Sequence, residues 1–359
     1  MHILYISKCT GESTQWVIRL CSEIAKQGHE VTCLVEESDI YNTEDATADT
    51  LTVYKVPEIV FVEKDFFFKE YPQIAYDKYD LIACSHIEGS LMSSYLSGFY
   101  KIPWSIMLLD IPTHLIKIQE FRRTNWEIVA PLIISANEVI TNTQVCRDEL
   151  FSRIGRTIPD ENVIPYATNL LLEYKNSGID IDGDYALSIS RMTPEKNCII
   201  IPAALAKTNI KKYIAIGGDG GQLGKIRTSC EKNGIEFIHK HGISDKEKFE
   251  VIKNSKFFIY PQNTNYIGGL APFESMFVGK PTLVSDTATH KSLYSEFITY
   301  FENDSVDSLA KAINDTIDSP PSKEVREEAS THAHETATFE KMASSLIKVF
   351  KKMVIKDGI

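Results

Sequence analysis

Hydrophobic and polar positions along the chain alternate between two spacings. Short runs rich in β-branched and aromatic residues predict buried strands, and the longer segments between them repeat apolar residues every three or four positions. After the first apolar run, HILYI, one such helical face is formed by Val17, Leu20, Cys21, Ile24 and Ala25. This alternation predicts an α/β protein built from parallel βα units.

The predicted strands fall into two series. The first comprises HILYI, EVTCLV, DLIACS, WSIMLL and EVITNT, and the second comprises YALSIS, KYIAIGG, IEFIHK, KFFIYP, PTLVSD and ITYF. Between them, residues 165–184 end in polar, glycine-containing sequence that is typical of a linker. We therefore predict two Rossmann-like, doubly wound domains facing a central cleft, at 1–168 and 169–338. A terminal helix in 339–359 is expected to pack back toward the first domain.

Length, net charge and cysteine content limit the classes of protein to which the chain could belong. A chain of 359 residues suits two domains, and a net charge of −11 disfavours nucleic-acid binding, which requires Lys and Arg to neutralise phosphates. The seven scattered cysteines form no Cys-x-x-Cys pair, which argues against a disulfide framework or a zinc site and indicates a reducing cytoplasm. No apolar run approaches the roughly 20 residues of a membrane span, and the N-terminus lacks a signal-peptide pattern. Peripheral membrane contact through the basic face of the terminal helix remains an alternative to its packing on the protein.

Two basic residues interrupt the chain after the strand YALSIS. Arg191 and Lys196 lie in the stretch SRMTPEKN, where a loop leaves the carboxyl end of a predicted parallel strand. Ligands of open α/β sheets bind at that edge, and a guanidinium with an ammonium suits a diphosphate. A solvated loop is the alternative for any isolated basic pair.

Two further segments carry candidate chemistry. GGDGGQL is a glycine-rich turn without the dinucleotide fingerprint, so it is a weak signal. In YPQNTNYIGGLAPFES, a strand leads into Gly268 and Gly269 and then into a helix bearing Glu274. Small residues at a helix start let an anion reach backbone N–H groups, and Glu274 could accept hydrogen bonds from ribose hydroxyls. His239 and His241 lack the carboxylate or thiol partners of a metal site, and no metal is expected.

These segments, in this order, resemble the C-terminal half of retaining nucleotide-sugar glycosyltransferases of the family 4 type, which have the GT-B fold. SRMTPEKN is similar to the family's Arg-x-x-x-x-Lys-Asn element, GGDGGQL to its Gly-Asp-Gly turn, and GGLAPFESMFVGKP to the loop and helix of its acidic motif. The resemblance extends more loosely over the N-terminal half, through MHILYIS, LCSEIAKQGHEVTCLV and EVITNTQVCRDEL.

The resemblance implies a role for individual residues. Arg191 and Lys196 would bind the donor diphosphate, Gly269 and Leu270 would offer backbone amides to the phosphate or sugar, and Glu274 would bind the ribose. Gly11, Gly268 and Tyr266 would contact the donor sugar or its loop. Such enzymes generally need no catalytic metal and no cofactor, because cationic side chains and a helix end stabilise the departing nucleoside diphosphate.

The sequence departs from the family at two positions. Tyr266 stands eight positions before Glu274, where the family has its first glutamate, and Leu109 stands where a histidine is frequent. Asp110 and His114 are candidate acceptor-side or catalytic substitutes for that histidine. A catalytically impaired relative that binds a sugar nucleotide or a protein partner is therefore the alternative to a transferase, and a sugar-nucleotide epimerase ranks third. The donor base and sugar, the hydroxyl acceptor and the oligomeric state are left open by the sequence.

Overall fold

The chain divides into two compact units. In the computed structural model, the residues described are 1–8, 12–37, 48–108, 126–180, 182–264, 268–294 and 296–356. Unit 1 comprises Met1–Tyr166 together with Phe339–Ile359, and unit 2 comprises Ala167–Thr338. The first boundary thus falls two residues before the 168/169 position taken from the sequence. Unit 2 is inserted, in sequence, between the two segments of unit 1.

Unit 1 contains a six-stranded parallel sheet with the strand order β3-β2-β1-β4-β5-β6. Its strands are β1 (His2–Ser7), β2 (Glu30–Glu36), β3 (Leu51–Val56), β4 (Leu81–Ser85), β5 (Trp104–Leu108) and β6 (Glu138–Thr141). Five of them are those predicted from apolar runs. The edge strand β3 was not predicted, because only its last residue is fully buried and its run is broken by exposed positions.

Helices cover the sheet of unit 1. They are α1 (Glu12–Lys26), α2 (Lys64–Glu70), α3 (Pro72–Ala75), α4 (Ser90–Tyr100), α5 (Trp126–Ser135), α6 (Gln144–Ile154) and the C-terminal α14 (Phe339–Lys356). The predicted apolar face of α1 is buried along its whole length, with every one of its five residues at most 4% exposed. Burying this stripe is what stabilises an otherwise polar helix.

The C-terminal helix completes unit 1. It packs on α1, where Ser344 donates a hydrogen bond to Gln27 Oε1 at 2.9 Å and Gln27 donates to the Glu340 carbonyl at 3.1 Å. At the start of α14, the ring of Trp16 lies 5.9 Å from the rings of both Tyr166 and Phe339, centroid to centroid. One aromatic cluster therefore joins the two points at which the chain leaves and re-enters unit 1.

Unit 2 contains a second six-stranded parallel sheet, with the order β12-β11-β10-β7-β8-β9. Its strands are β7 (Ala186–Ile189), β8 (Lys212–Ile216), β9 (Glu236–Lys240), β10 (Phe257–Tyr260), β11 (Thr282–Ser285) and β12 (Thr299–Phe301). All six were predicted. Phe257 and Phe258 point to opposite faces and are both fully buried, as expected of a parallel sheet covered on both sides.

The helices of unit 2 alternate with these strands. They are α7 (Ile201–Leu205), α8 (Leu223–Lys232), α9 (Asp245–Lys253), α10 (Ala271–Val278), α11 (Ala288–Tyr294), α12 (Val306–Asp318) and α13 (Lys323–Thr336). Ser244 caps α9 by accepting a hydrogen bond from the Glu247 N–H at 3.2 Å. The two ends of the unit meet where the Thr168 N–H donates to the Ala337 carbonyl at 2.8 Å.

Each sheet has one point at which the strand order reverses direction. In unit 1 this point lies between β1 and β4, and in unit 2 it lies between β7 and β10. Loops leaving two adjacent parallel strands diverge there, which opens a crevice at the carboxyl edge where such sheets bind ligands. None of the helices in the described part of the chain is long and apolar enough to cross a membrane.

Candidate functional site

The basic loop that follows β7 is fixed to the glycine-rich turn that follows β8. Pro194–Lys196 forms a 3-10 turn, with proline at its first position, where its missing N–H costs nothing. The Met192 N–H donates to the Gly218 carbonyl at 2.9 Å, and the Gln222 N–H donates to the Met192 carbonyl at 3.0 Å. These hydrogen bonds to the turn after β8 therefore fix the backbone conformation of the basic loop.

The glycine-rich turn allows this close approach. A Cβ atom on Gly217 would lie 2.0 Å from the Ser190 carbonyl oxygen, and one on Gly220 would lie 2.6 Å from Thr193 Cγ2. Both glycines also have positive φ, at 139° and 54°. Asp219 closes the turn by accepting hydrogen bonds from two later N–H groups at 3.2 Å. In the described structure, the turn shapes the basic loop.

Lys196 lies at the switch point of unit 2. Its ammonium donates to Tyr260 Oη at 2.8 Å and to Gln262 Oε1, and the Tyr260 hydroxyl donates to the same amide oxygen at 2.7 Å. The ammonium also lies 5.3 Å from the centroid of the Tyr260 ring, within the range of a cation–π interaction. These hydrogen-bond partners are neutral, so they orient the charge of Lys196 without neutralising it.

Arg191 projects from the start of the same loop. Its side chain is exposed, and no hydrogen bond or ion pair joins its guanidinium to the residues that the structure describes. Two positive charges therefore lie within one short loop at the carboxyl edge of the sheet, a composition that attracts anions.

The buried ring of Tyr260 also connects Lys196 to the predicted glycine pair. A Cβ atom on Gly269 would lie 2.4 Å from both Cζ and Oη of Tyr260. On the other side, Tyr294 donates a hydrogen bond to the Gly269 carbonyl at 2.5 Å, and a Cβ atom on Gly268 would lie 2.2 Å from Leu293 Cδ1. At Gly269 the neighbour is a buried aromatic ring, so a side chain there would displace Tyr260. Leu270 follows as the N-cap of α10, whose first N–H groups have no intrahelical acceptor.

Glu274 lies in the first turn of α10 and is almost completely buried. Its Oε1 accepts hydrogen bonds from Thr168 Oγ1 at 2.6 Å and from the Lys248 ammonium at 2.8 Å, and Lys248 also contacts Asp245 Oδ1 at 2.9 Å. Burial alone would lower the pKa of Lys248, but the two carboxylates raise it above its ordinary value. Both contacts of Glu274 fall on Oε1, so Oε2 makes no hydrogen bond to the residues that the structure describes.

A buried histidine, His290, packs against the ring of Tyr260. The His290 ring packs edge-on against the Tyr260 ring at 5.6 Å between centroids, and its Nδ1 lies 2.8 Å from the Ser285 carbonyl oxygen. Burial, together with a smaller effect of the nearby charge of Lys196, lowers the pKa of His290 to about 4, against the raising effect of the Ser285 carbonyl. The ring is therefore neutral at physiological pH.

Several predicted residues lie outside the described part of the chain. These are Gly11, Asp110, His114 and Tyr266. Of the two histidines weighed as metal ligands, His239 instead contacts the Gly217 carbonyl at 2.7 Å. Among the described residues, no group of three His, Cys, Asp or Glu side chains could hold a metal ion.

Sequence reasoning did not single out the residues that hold the cationic and acidic groups in place. Tyr260 ends strand β10 and Gln262 lies two residues beyond it, so both could have been found from their place at the carboxyl edge. Lys248 and Thr168 could not, because they lie 26 and 106 positions from Glu274 and only the fold brings them together.

The class of protein follows from the unit that carries this site. Residues 173–335, which include Arg191, Lys196 and Glu274, match the family described as glycosyl transferases group 1. Unit 2 thus contains a glycosyltransferase domain, and the protein is a glycosyltransferase. Among curated protein sequences, no relative matches the chain significantly.

Solved structures with the same fold cover nearly the whole chain. HepE from Anabaena, solved in complex with UDP and glucose, aligns with a TM-score of 0.77 at 16% identity, over 98% of this chain and 100% of its own. Sucrose-phosphate synthase from Thermosynechococcus elongatus aligns with a TM-score of 0.77 at 14% identity, over 99% and 100%. A glycosyltransferase from Rickettsia africae gives 0.76 at 10% identity, over 99% and 98%. The predicted α/β fold of the GT-B type is confirmed.

Proposed function

We propose that the protein is a retaining, metal-independent glycosyltransferase that moves a sugar from a nucleoside diphosphate to a hydroxyl acceptor. The observation that carries the proposal is the state of Lys196. Its ammonium is held at the switch point of unit 2 by neutral hydrogen-bond partners, so its charge is available to a bound anion. Arg191 supplies a second charge from the same loop.

The proposed roles follow the geometry of unit 2. Lys196 and Arg191 bind the two phosphates, the N–H groups of Gly269 and Leu270 contact phosphate or sugar, and Glu274 binds the ribose through Oε2. During transfer the bond between the sugar C1 and the diphosphate oxygen breaks, and the acceptor oxygen bonds to C1 on the same face. The acceptor proton passes to the departing phosphate oxygen. Fixed positive charges stabilise the negative charge that develops there.

UDP-sugars are the first donors to test. HepE, which shares the fold, has been solved in complex with UDP-glucose. For the present chain a uridine donor is a proposal, since likeness at this level of identity extends to the fold alone.

Calorimetric titration with UDP, GDP, ADP, dTDP and CMP tests the donor site. Lys196→Ala is expected to weaken binding of the preferred nucleotide about ten- to a hundredfold, the effect of losing a charge-assisted hydrogen bond. Arg191→Ala is expected to act in the same direction. Lys232→Ala, which removes an exposed charge from the last turn of α8, is the matched control and leaves affinity unchanged. Equal affinity in wild type and in both loop variants would refute the diphosphate site.

Turnover separates the transferase from a binding protein. The sugar conjugate of the preferred nucleotide is incubated with the wild-type chain, with and without EDTA, and nucleotide release and the anomeric configuration of the product are followed. Metal-independent release with retention supports the proposal. Tight binding without release across an acceptor panel favours the catalytically impaired alternative, which the replacement of a motif glutamate by Tyr266 motivates.

A further inference from the structure

The switch point of unit 1 carries a polar group of its own. Strands β1 and β4 are adjacent and parallel, and they end at Ser7 and Ser85, which face each other in register. This is the relation that β7 and β10 have in unit 2, where Lys196 and Tyr260 meet. His86 follows Ser85 directly and lies at the corresponding crevice.

The backbone of His86 has an unusual conformation. Its φ of 70° and ψ of 151° lie in a region that is essentially restricted to glycine. Neighbouring groups hold it there, since the His86 N–H donates to the Met107 carbonyl at 3.3 Å and the Cys84 thiol contacts the His86 carbonyl at 3.3 Å. Gly89 fits closely behind, where a Cβ atom would lie 3.1 Å from Cys84 Sγ. Strained residues of this kind persist only where the surrounding structure enforces them, and they cluster at functional sites.

The ring of His86 extends a line of hydroxyl groups. Ser85 Oγ donates to Ser7 Oγ at 2.9 Å, and Ser7 Oγ lies 3.4 Å from His86 Nδ1. Burial lowers the pKa of His86, while Glu88 and the Ser85 backbone act in the opposite direction. A neutral imidazole presents one donor and one acceptor nitrogen, and a hydroxyl group can pair with either.

We propose that His86 binds and positions the acceptor hydroxyl through its Nε2 atom, as an acceptor-side residue of unit 1. The inference rests on the proposed function and deepens it by naming one residue of the acceptor site. The other described histidines of this unit are unsuited to the role. His2 begins β1 and His29 precedes β2, so both lie at the amino edge of the sheet, opposite to the crevice.

Stability measurements test whether the backbone is strained. His86→Gly and His86→Ala both remove the ring, but only glycine relieves the positive φ. We expect the glycine variant to unfold about 2–4 °C above the alanine variant, the reverse of the order at an ordinary position. A glycine variant that unfolds at or below the alanine variant would refute the strain and with it the argument that the fold aims this ring.

Kinetics test what the ring does. With UDP-glucose as donor, a panel of p-nitrophenyl glycosides is screened, and the acceptor giving most product is used. His86→Gly is expected to lower kcat/KM for that acceptor about a hundredfold, as the loss of a positioning group does, and to leave the donor affinity and slow donor hydrolysis within about twofold of wild type. His86→Gln, whose amide reaches the Nε2 position, should recover more transfer than His86→Asn.

Lys101→Gly is the matched control. Lys101 also has a positive φ, 56°, but caps the far end of α4, about 16 Å along that helix. The Lys101→Gly substitution should leave the rate of sugar transfer unchanged. Wild-type acceptor kinetics in His86→Gly would overturn the role of His86 alone. A wild-type chain that binds none of the five nucleotides, and forms no glycoside from their sugar conjugates, would instead overturn the proposed function. Equal loss of donor and acceptor binding in His86→Gly would show that the ring has a merely structural role.

Discussion

Replacing Gly269 by alanine tests the passage between Tyr260 and α10. The added Cβ atom would lie 2.4 Å from Cζ and Oη of Tyr260, about 1 Å inside ordinary van der Waals contact. Tyr260 cannot turn away into solvent, because the residue is 3% exposed and its ring packs on His290. We therefore expect Gly269→Ala to cost about 1–3 kcal/mol of unfolding free energy, the usual effect of overpacking a buried site.

The same substitution should disturb the donor site. A displaced Tyr260 moves its hydroxyl away from Lys196, and nucleotide affinity is expected to fall about tenfold. Urea denaturation followed by circular dichroism gives the free energy, and calorimetry with UDP gives the affinity. For a domain of this size the loss corresponds to a midpoint lowered by roughly 3–9 °C.

Gly224→Ala is the matched control. Gly224 lies within α8, and a Cβ atom there would have no neighbour within 4 Å. Alanine should stabilise this helix by about 0.5–1 kcal/mol and leave nucleotide binding unchanged. If Gly269→Ala were as stable as wild type and bound UDP equally well, the tight contact between Gly269 and Tyr260 would not exist in solution.

Three further substitutions or conditions address the same unit. Tyr260→Phe removes a hydrogen bond to the Lys196 ammonium and should weaken UDP binding about fivefold by calorimetry, with no change expected if Lys196 does not bind phosphate. The pKa of His290 is lowered to about 4, so the unfolded chain binds its proton first as the pH falls below about 6.5. Stability should therefore drop by about 3 kcal/mol between pH 7 and pH 4, and His290→Gln should flatten that part of the urea-midpoint profile. The pKa of the buried Lys280 is lowered to about 8, so stability should rise as the pH increases from 8 toward 10.5, and Lys280→Met should abolish the rise.

The sequence predicted most of the strands because their buried residues form short, local runs of apolar positions. The inner strands β7, β8 and β10 of unit 2 are almost entirely buried and read as mainly apolar stretches. The edge strand β3 lacks such a run, since pairing with β2 rather than burial determines it. The edge strands β6, β9 and β12 were nevertheless predicted from their own apolar runs, so β3 is the one described strand whose local pattern did not identify it.

Some residues of the candidate site could be recognised from the sequence, and others could not. Arg191, Lys196 and Glu274 were recognisable because each follows a strand or begins a helix at a fixed spacing. The residues that hold these side chains in place were not recognisable from the sequence. Lys248 contacts Glu274 from a different helix, and Tyr260 lies 64 positions from Lys196 along the chain. The conformation of His86 was equally hidden, because a positive φ at a histidine contradicts local preference and is imposed by β5 and Cys84.

The inserted position of unit 2 has a consequence for synthesis on the ribosome. Protein domains commonly fold in the order in which they emerge, N-terminal domain first. Here the apolar side of α1 that receives α14 stays uncovered until the last helix has been made, after all of unit 2. Unit 2 can close earlier, because its own ends are joined by the Thr168–Ala337 hydrogen bond. The nascent chain is therefore expected to fold unit 2 completely before unit 1. The contact between Trp16 and Phe339 would form only after Phe339 has been synthesised.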